Sequence, residues 1–206
     1  MMNKNEIAKI INNFQKRNIQ ASYYKNLDEA KSRILELIPA GSSIGIGNSR
    51  TLKRMNISTE LTNKGYKVLD KTLAKTKEVS LELKRKSLLT DWYLTGTNAV
   101  SSEGHIINID HSGNRVAAMI YGPKKVIIII GTNKITDTLR EAVQRAKNIA
   151  APLNAKRAGF NPPCVELNKC IDCSSEERVC NSLVTIEGQA DKDRIKVLIV
   201  DEELGF

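Results

Sequence analysis

The sequence predicts an α/β fold in which helices flank a mostly parallel sheet. One observation is the all-apolar run VIIII at 126–130, which is typical of a strand buried on both faces. A second is the strand, turn and helix pattern over 43–55, and a third is a short strand that follows a helix and the breaker Gly65. The 206 residues suffice to bury one generous core of this kind.

The first 40 residues predict an N-terminal helical segment. Apolar residues recur at helical spacing from Ile7 to Phe14 and again over 27–37, where acidic residues stand near the start. Pro39 and Gly41 mark the end of the second helix. We therefore expect a helical segment at 1–40, followed by an α/β domain at 41–206.

Strands and helices alternate along the first half of this α/β domain. A short buried strand is expected at 43–47, and residues 48–51 cap a helix that runs through Met55. The next strand is expected at 66–70, and a Lys-rich amphipathic segment follows over 71–86. The simplest interpretation of that segment is a helix with a solvated face.

The second half of the domain begins with a predicted hairpin whose tip lies at 102–105. Beyond the central apolar strand, a helix is expected to begin at a Thr136 or Asp137 cap and to break near Pro152. A cysteine-rich loop and two strands complete the chain, at 160–181, 183–186 and 195–200.

The charge and composition bear on the class of ligand. The formal net charge is +9, but the basic residues are spread over amphipathic segments and are not interleaved with aromatic residues. We therefore expect a small anionic metabolite as the ligand and no specific nucleic-acid partner. The start of the chain has no apolar leader region, and the longest apolar run is too short to span a bilayer, which favours a cytoplasmic protein without a membrane partner.

The stretch GSSIGIGNSRTL at 41–52 is the first candidate binding site. It lacks the dinucleotide fingerprint and the Walker lysine, so neither cofactor is predicted. Gly45 and Gly47 permit a close approach to the backbone at a strand end. The residues that follow offer backbone N–H groups and polar side chains to a phosphate or carboxylate: Asn48, Ser49, Arg50 and Thr51. An ordinary strand-to-helix turn explains the same residues.

The polar stretch TGTNAVSSEGHIINIDHSGNRVA at 95–117 is the second candidate. Glu103 is predicted to act as an acid, base or nucleophile. The side chains able to line a pocket are Thr97, Asn98, Asn108, Asp110, Asn114 and Arg115. The alternative interpretation is that these are turn residues, because Asn, Gly and Ser favour turns for backbone reasons alone. The two histidines, His105 and His111, are not spaced for one helical face, and we assign no metal to them.

All four cysteines fall within NPPCVELNKCIDCSSEERVC, close to the C-terminus. Four thiols in one polar loop of a protein from a reducing compartment predict one metal centre, with Cys164, Cys170, Cys173 and Cys180 as ligands. The loop contains a single C-x2-C knuckle, whereas zinc ribbons usually present two, so the spacing favours an iron-sulfur cluster, [4Fe-4S], over zinc. Free or redox-active thiols and a disulfide pair are the other interpretations.

The run LTGTNAVSSEGHIINIDHSGNRVAAMIYGPKKVIIIIGTNKI, the segment AAPLNAKRAG, the cysteine stretch and the terminal EELGF resemble the LUD domain family of lactate utilization proteins. The resemblance covers nearly the whole chain and is most specific from Thr95 to Lys134. It implies an α/β fold related to sugar-phosphate isomerases and CoA transferases, the NagB/RpiA/CoA-transferase-like fold. Some members are encoded beside iron-sulfur and oxidoreductase subunits that convert L-lactate to pyruvate. This chain resembles the short, cysteine-tailed members.

These observations support one leading hypothesis and two alternatives. The leading one is a LUD-type protein that binds a small anionic metabolite, carries a four-cysteine cluster or zinc site, and acts in or beside organic-acid redox metabolism, with a redox protein as a possible partner. One alternative is a CoA transferase or sugar-phosphate isomerase that uses Glu103. The other is a non-catalytic accessory subunit.

Overall fold

The computed structural model describes residues 2–206. It contains ten strands, most of which belong to a parallel sheet. In chain order they are β1 (Gln20–Tyr24), β2 (Ser43–Ile46), β3 (Lys67–Asp70), β4 (Trp92–Thr95), β5 (Ala99–Ser101), β6 (Ile106–Asp110), β7 (Lys125–Gly131), β8 (Ile135–Thr136), β9 (Ser182–Ile186) and β10 (Ile195–Val200).

Nine α-helices accompany these strands in the described part of the chain. They are α1 (Lys4–Lys16), α2 (Leu27–Leu37), α3 (Arg50–Met55), α4 (Ile57–Asn63), α5 (Lys77–Lys86), α6 (Asn114–Ile120), α7 (Leu139–Arg145), α8 (Ala151–Ala158) and α9 (Pro163–Leu167). A π-helical turn at Ala146–Ala150 joins α7 to α8.

The main sheet has six strands in the order β1, β10, β7, β4, β2, β3, and every neighbouring pair is parallel. The predicted α/β fold with a parallel sheet flanked by helices is therefore confirmed. A smaller sheet in the order β8, β5, β6, β9 packs beside it. Its β5 and β6 are antiparallel, which confirms the hairpin predicted with its tip at 102–105.

The central strand β7 is buried on both faces, as its apolar sequence predicts. Ile127 and Ile129 join one core cluster, which includes residues of α2, α3 and α4. Val126, Ile128 and Ile130 point the opposite way and join a second cluster with residues of α1 and α6. Each buried aliphatic side chain of this size stabilises the fold by about 1.5–3 kcal/mol, so this strand anchors both layers.

The structure corrects three details of the sequence analysis. The segment at 1–40 is not only helical, because β1 pairs in parallel with β10 over Gln20 to Tyr24. This edge strand has only half-buried and exposed side chains, so it carries no apolar run that would predict it. Residues 114–120 form α6, a helix that the sequence analysis does not predict.

The third correction concerns the long helix after β8. Thr138, and not Thr136 or Asp137, is the N-cap of α7, and its side chain accepts a hydrogen bond from the Glu141 backbone N–H. Pro152 does not break the helix, because it lies in the first turn of α8, directly after the wider π-helical turn. The helical backbone runs on from α7 through the π-helical turn, where the regular hydrogen-bond ladder is interrupted, and such an interruption accommodates the missing N–H of proline.

None of the helices within residues 2–206 is long and apolar enough to cross a membrane.

Candidate functional site

The carboxyl ends of the parallel strands open onto a cleft of about 220 Å³. Segments that follow β2, β3, β4, β7 and β10 all contribute to its walls, together with the end of β6 and parts of α5 and α8. Eight of the twelve residues predicted to bind a ligand line this cleft: Asn48, Ser49, Arg50, Thr97, Asn98, Asp110, Asn114 and Arg115. Both polar stretches singled out in the sequence therefore converge on one site.

Four of the predicted binding residues lie behind the cleft and do not line it. A Cβ added at Gly45 would lie 2.8 Å from Cδ2 of Tyr93, and one at Gly47 would lie 2.7 Å from Oγ1 of Thr95, so these glycines permit close packing of β2 against β4. Thr51 is 1% exposed and Asn108 is fully buried. Their positions favour a packing role over ligand contact.

Arg115 organises one wall of the cleft. Its Nε lies 3.2 Å from Asp110 Oδ2. Nη1 donates to Gly96 O at 3.1 Å and to Asn108 Oδ1 at 2.5 Å, while Nη2 donates to Asn98 Oδ1 at 3.1 Å and to Ile109 O at 2.8 Å. The four N–H donors of Nη1 and Nη2 are thus used within the protein, and Nε faces the Asp110 carboxylate. Arg115 therefore positions the loops around the cleft, and its terminal nitrogens are committed to groups of the protein.

Other cations face the cleft without an acidic partner. Within residues 2–206, none of Arg50, Lys71, Lys84, Lys134 and Arg157 forms a salt bridge, and Asp110 is the one carboxylate side chain among the lining residues. Desolvation and the neighbouring charge of Lys84 lower the pKa of Lys71. The cleft thus holds an excess of positive charge that an anion would compensate.

The C-terminal segment completes the cleft. Leu204 is buried, and its backbone N–H donates to Asn133 Oδ1 at 3.0 Å, which directs Gly205 and Phe206 into the lining. The guanidinium carbon of Arg50 lies 4.8 Å from the centroid of the Phe206 ring, a cation–π contact that holds Arg50 at the rim.

Sequence reasoning missed Lys71, Lys84, Lys134 and Arg157. Lys71 and Lys84 belong to the Lys-rich segment that was read as a solvated face, although both line the cleft. Lys134 stands shortly after the end of β7, and the rule that placed residues 48–51 at the ligand site applies equally to that position. Arg157 lies near the end of α8, where nothing in the local pattern separates it from a surface arginine.

Glu103 lies at the hairpin tip, outside the lining of the cleft. Its side chain is 48% exposed, and its Oε2 accepts a hydrogen bond from the backbone N–H of Leu139 at 2.8 Å. Leu139 is the first residue of α7, so the carboxylate stabilises that helix start. This position favours a structural role for Glu103.

Replacing Glu103 with glutamine is expected to leave ligand binding unchanged and to lower the free energy of unfolding by less than about 1 kcal/mol. The amide oxygen still accepts the bond from Leu139, and only the charge at the helix start is lost. Denaturant unfolding and ligand titration of Glu103→Gln measure both quantities. Loss of turnover or of binding with an unchanged fold would restore the catalytic prediction.

The four cysteines line a second, more enclosed cavity of about 200 Å³. All four are free thiols. Burial, and then the charges of Cys173, Cys180 and Cys170, raise the pKa of Cys164. Arg178 donates to Cys173 O at 2.7 Å and Cys180 O at 3.3 Å, which holds these two parts of the loop together. The structure therefore brings the four predicted ligands to one cavity.

The thiols do not form a coordination site as they stand. Within the part of the chain that the structure describes, no group of three or more His, Cys, Asp and Glu side chains is placed so that it could hold a metal ion. The donor type and number suit zinc or an iron-sulfur cluster, but binding would require the thiols to converge. Three of the four cysteines lie within residues 168–181, between α9 and β9, and these residues contain neither helix nor strand.

The fold and the site together define an α/β protein whose parallel sheet opens onto a basic cleft, with a cysteine-lined cavity beside it. A sequence model of the LUD domain matches residues 7–200. The chain therefore belongs to the LUD domain family, as the resemblance predicts.

Solved structures add a comparison of fold. The structure of a DUF162 family protein from Deinococcus radiodurans is similar over 97% of this chain and 99% of that chain, with 16% sequence identity and a TM-score of 0.59. Ribose 5-phosphate isomerase A from Methanocaldococcus jannaschii matches over 65% of this chain and 66% of that chain, with 14% identity and a TM-score of 0.39. The enzyme of that name from Neisseria gonorrhoeae matches over 61% and 65%, with 20% identity and a TM-score of 0.37. No curated protein matches this chain.

Proposed function

We propose that this LUD domain protein binds a small anionic metabolite in the basic cleft and acts in or beside organic-acid redox metabolism. The observation that carries the proposal is the group of cations without acidic partners, Arg50, Lys71, Lys84, Lys134 and Arg157, around one cavity. Placing like charges together costs free energy, and an anion that binds among them relieves the repulsion.

The size and polarity of the cleft favour a small ligand. Its volume of about 220 Å³ lies below the range of about 300–1,000 Å³ that is usual for pockets of drug-sized molecules. Asn48, Ser49 and Asn154 add hydrogen-bonding groups to the charged lining. A carboxylate or phosphate on a short carbon skeleton matches these features.

We further propose that Cys164, Cys170, Cys173 and Cys180 hold an iron-sulfur cluster of the [4Fe-4S] type, with zinc as the alternative. Support comes from the four free thiols around one cavity and from the donor set, which suits soft metal centres. When bound, an iron-sulfur cluster supplies one-electron redox chemistry.

The two cavities share a wall. Ile109 and Val179 line both the basic cleft and the cysteine cavity. An anion in the cleft and a group held by the thiols would therefore lie on opposite sides of these two side chains. This proximity is why we place the protein in redox metabolism and why a redox protein is a candidate partner.

Binding of lactate, pyruvate and inorganic phosphate to the purified chain tests the anion site. We expect at least one of them to bind, and the double variant Arg50→Gln/Arg157→Gln to bind it at least about 100-fold more weakly, because each of the two charge-assisted contacts contributes about 1.5–3 kcal/mol. Isothermal titration calorimetry at constant ionic strength measures the change.

The matched control is Arg85→Gln/Arg140→Gln. It removes the same two positive charges at exposed positions outside the cleft. We expect it to retain nearly all of the affinity, since exposed charges at a distance are screened by salt. If none of the three anions binds, or if both double variants weaken binding equally, the proposed cleft is not the ligand site.

A further inference from the structure

Lys134 is unusual among the cations of the cleft because it is buried. Its side chain lies in the lining, yet the residue is only 5% exposed. Nζ donates one hydrogen bond, to Thr97 O at 3.0 Å, and no carboxylate pairs with it within residues 2–206. A lysine whose charge is neither solvated nor paired is rarely retained for stability alone.

Neighbouring groups favour the neutral amine. Burial, and then the charges of Arg145 and Arg115, lower the pKa of Lys134 to about 7. Near pH 7, about half of such amines are neutral, whereas only about one in 3,000 ordinary lysine side chains is. A neutral amine has a free lone pair and is a nucleophile.

The space around Nζ is kept open by the C-terminal segment. A Cβ added at Gly205 would lie 3.3 Å from Lys134 Nζ and 3.4 Å from Thr51 Oγ1, and Gly205 has a φ of +66°, which favours glycine. A larger residue at 205 would crowd the amine. The rim cations Arg50 and Arg157 lie on the same cleft and can hold the anionic end of a ligand.

We infer that Lys134 forms a Schiff base with a small carbonyl compound that carries a carboxylate or phosphate. The amine nitrogen bonds to the carbonyl carbon, and the carbonyl oxygen leaves as water with one proton from the amine and one from solvent. The product is a cationic iminium. This inference rests on the proposed anion site and adds the chemical class of its ligand and a covalent role for one residue.

Reductive trapping of the full-length protein tests the inference. The protein is incubated near pH 7 with pyruvate, or separately with pyridoxal phosphate, then reduced with sodium borohydride and mapped by peptide mass spectrometry. We expect Lys134 to carry at least about tenfold more adduct than any other lysine, because its neutral fraction is much larger. The two probes distinguish a carboxylate from a phosphate as the recognised anion.

Three variants make the result specific. Lys134→Arg and Lys134→Met lack the amine and are expected to lose the adduct, and methionine suits the buried position even if arginine does not fold there. Lys192→Met removes an exposed lysine outside the cleft and is expected to leave labelling of Lys134 unchanged. Lys134→Met is also expected to raise the midpoint of thermal unfolding, since it removes an amine whose burial in the folded protein costs solvation free energy.

Calorimetry separates the two proposals. Tight binding of pyruvate or pyridoxal phosphate with no adduct on Lys134 refutes the covalent role but leaves the anion site in place. Adducts spread evenly over exposed lysines, or concentrated on Lys71, also refute it. If trapping fails and lactate, pyruvate, inorganic phosphate and pyridoxal phosphate all fail to bind, the covalent role and the anion site are refuted together.

Discussion

Replacing Arg115 with alanine is expected to lower the free energy of unfolding by about 3–5 kcal/mol, the usual cost of removing one partner of a buried ion pair. The change leaves the nearly buried carboxylate of Asp110 without its cation. It also removes the donors to Asn98, Asn108 and two backbone carbonyls at the wall of the cleft. Each acceptor left unpaired adds its own desolvation cost.

Two comparisons isolate the cause of this loss. Arg54→Ala removes an exposed arginine that pairs with Glu202, and we expect it to cost less than about 1 kcal/mol. Arg115→Lys keeps the positive charge but loses the planar guanidinium with its fixed donors, and we expect an intermediate loss of about 2 kcal/mol in the free energy of unfolding. Denaturant unfolding with a constant m-value gives the free energies. Equal losses for Arg115→Ala and Arg54→Ala would contradict the organising role of Arg115.

A double-mutant cycle sharpens the test. If Asp110 is the main group left unpaired, Asp110→Asn combined with Arg115→Met is expected to cost less than the sum of the two single changes. Strict additivity would mean that the two side chains do not interact, which is at odds with the 3.2 Å contact between Arg115 Nε and Asp110 Oδ2.

Replacing any one of the four cysteines with serine is expected to lower bound iron and sulfide at least about tenfold in anaerobically purified protein, because each thiolate would be a direct ligand. The unchanged protein is expected to be brown, with a broad visible absorption band that each variant loses. Ser174→Ala provides the control, since Ser174 is exposed in the same loop and is not part of the cysteine cavity. We expect that variant to keep the band.

Metal analysis of the same samples decides between the alternatives. A colourless preparation with stoichiometric zinc that is lost in each cysteine variant would assign a zinc site. No metal, together with four titratable thiols, would refute the metal centre and return these residues to free or redox-active thiols. Far-ultraviolet circular dichroism shows whether each variant remains folded, so that loss of metal is not mistaken for loss of structure.

Local sequence patterns predicted those helices and strands whose own residues carry a clear signal. The caps and apolar periodicity of α2 and the run of β7 are visible in the sequence because each element is stabilised by its own spacing of apolar side chains. The edge strand β1 was missed because it is defined by pairing with β10, 176 residues away in the chain. The continuation of the helix past Pro152 was missed because a π-helical turn has no reliable local signal.

The residues of the candidate site also fall into those that the sequence predicted and those whose role depends on the tertiary structure. Residues 48–50 and several residues within 97–115 were predicted, because polar residues directly after a buried parallel strand lie at the edge where clefts form. Arg115 was predicted as a ligand-binding residue, but whether its donors are free depends on which acceptors the fold places around it. The sequence could not separate two uses of Gly45 and Gly47 for a related reason, since a missing Cβ serves packing as readily as ligand approach.

The sequence by itself determined the fold class, most strands and helices, the family resemblance and the grouping of four thiols in one loop, because these depend on residue type, spacing and order. Only the tertiary structure decided that Lys71, Lys84, Lys134 and Arg157 face one cleft and that the cysteine cavity shares a wall with it. These residues come from separate elements, which the strand order of the parallel sheet and the helices packed on it bring together. The convergence of side chains from distant elements is a property of packing, which no local pattern contains.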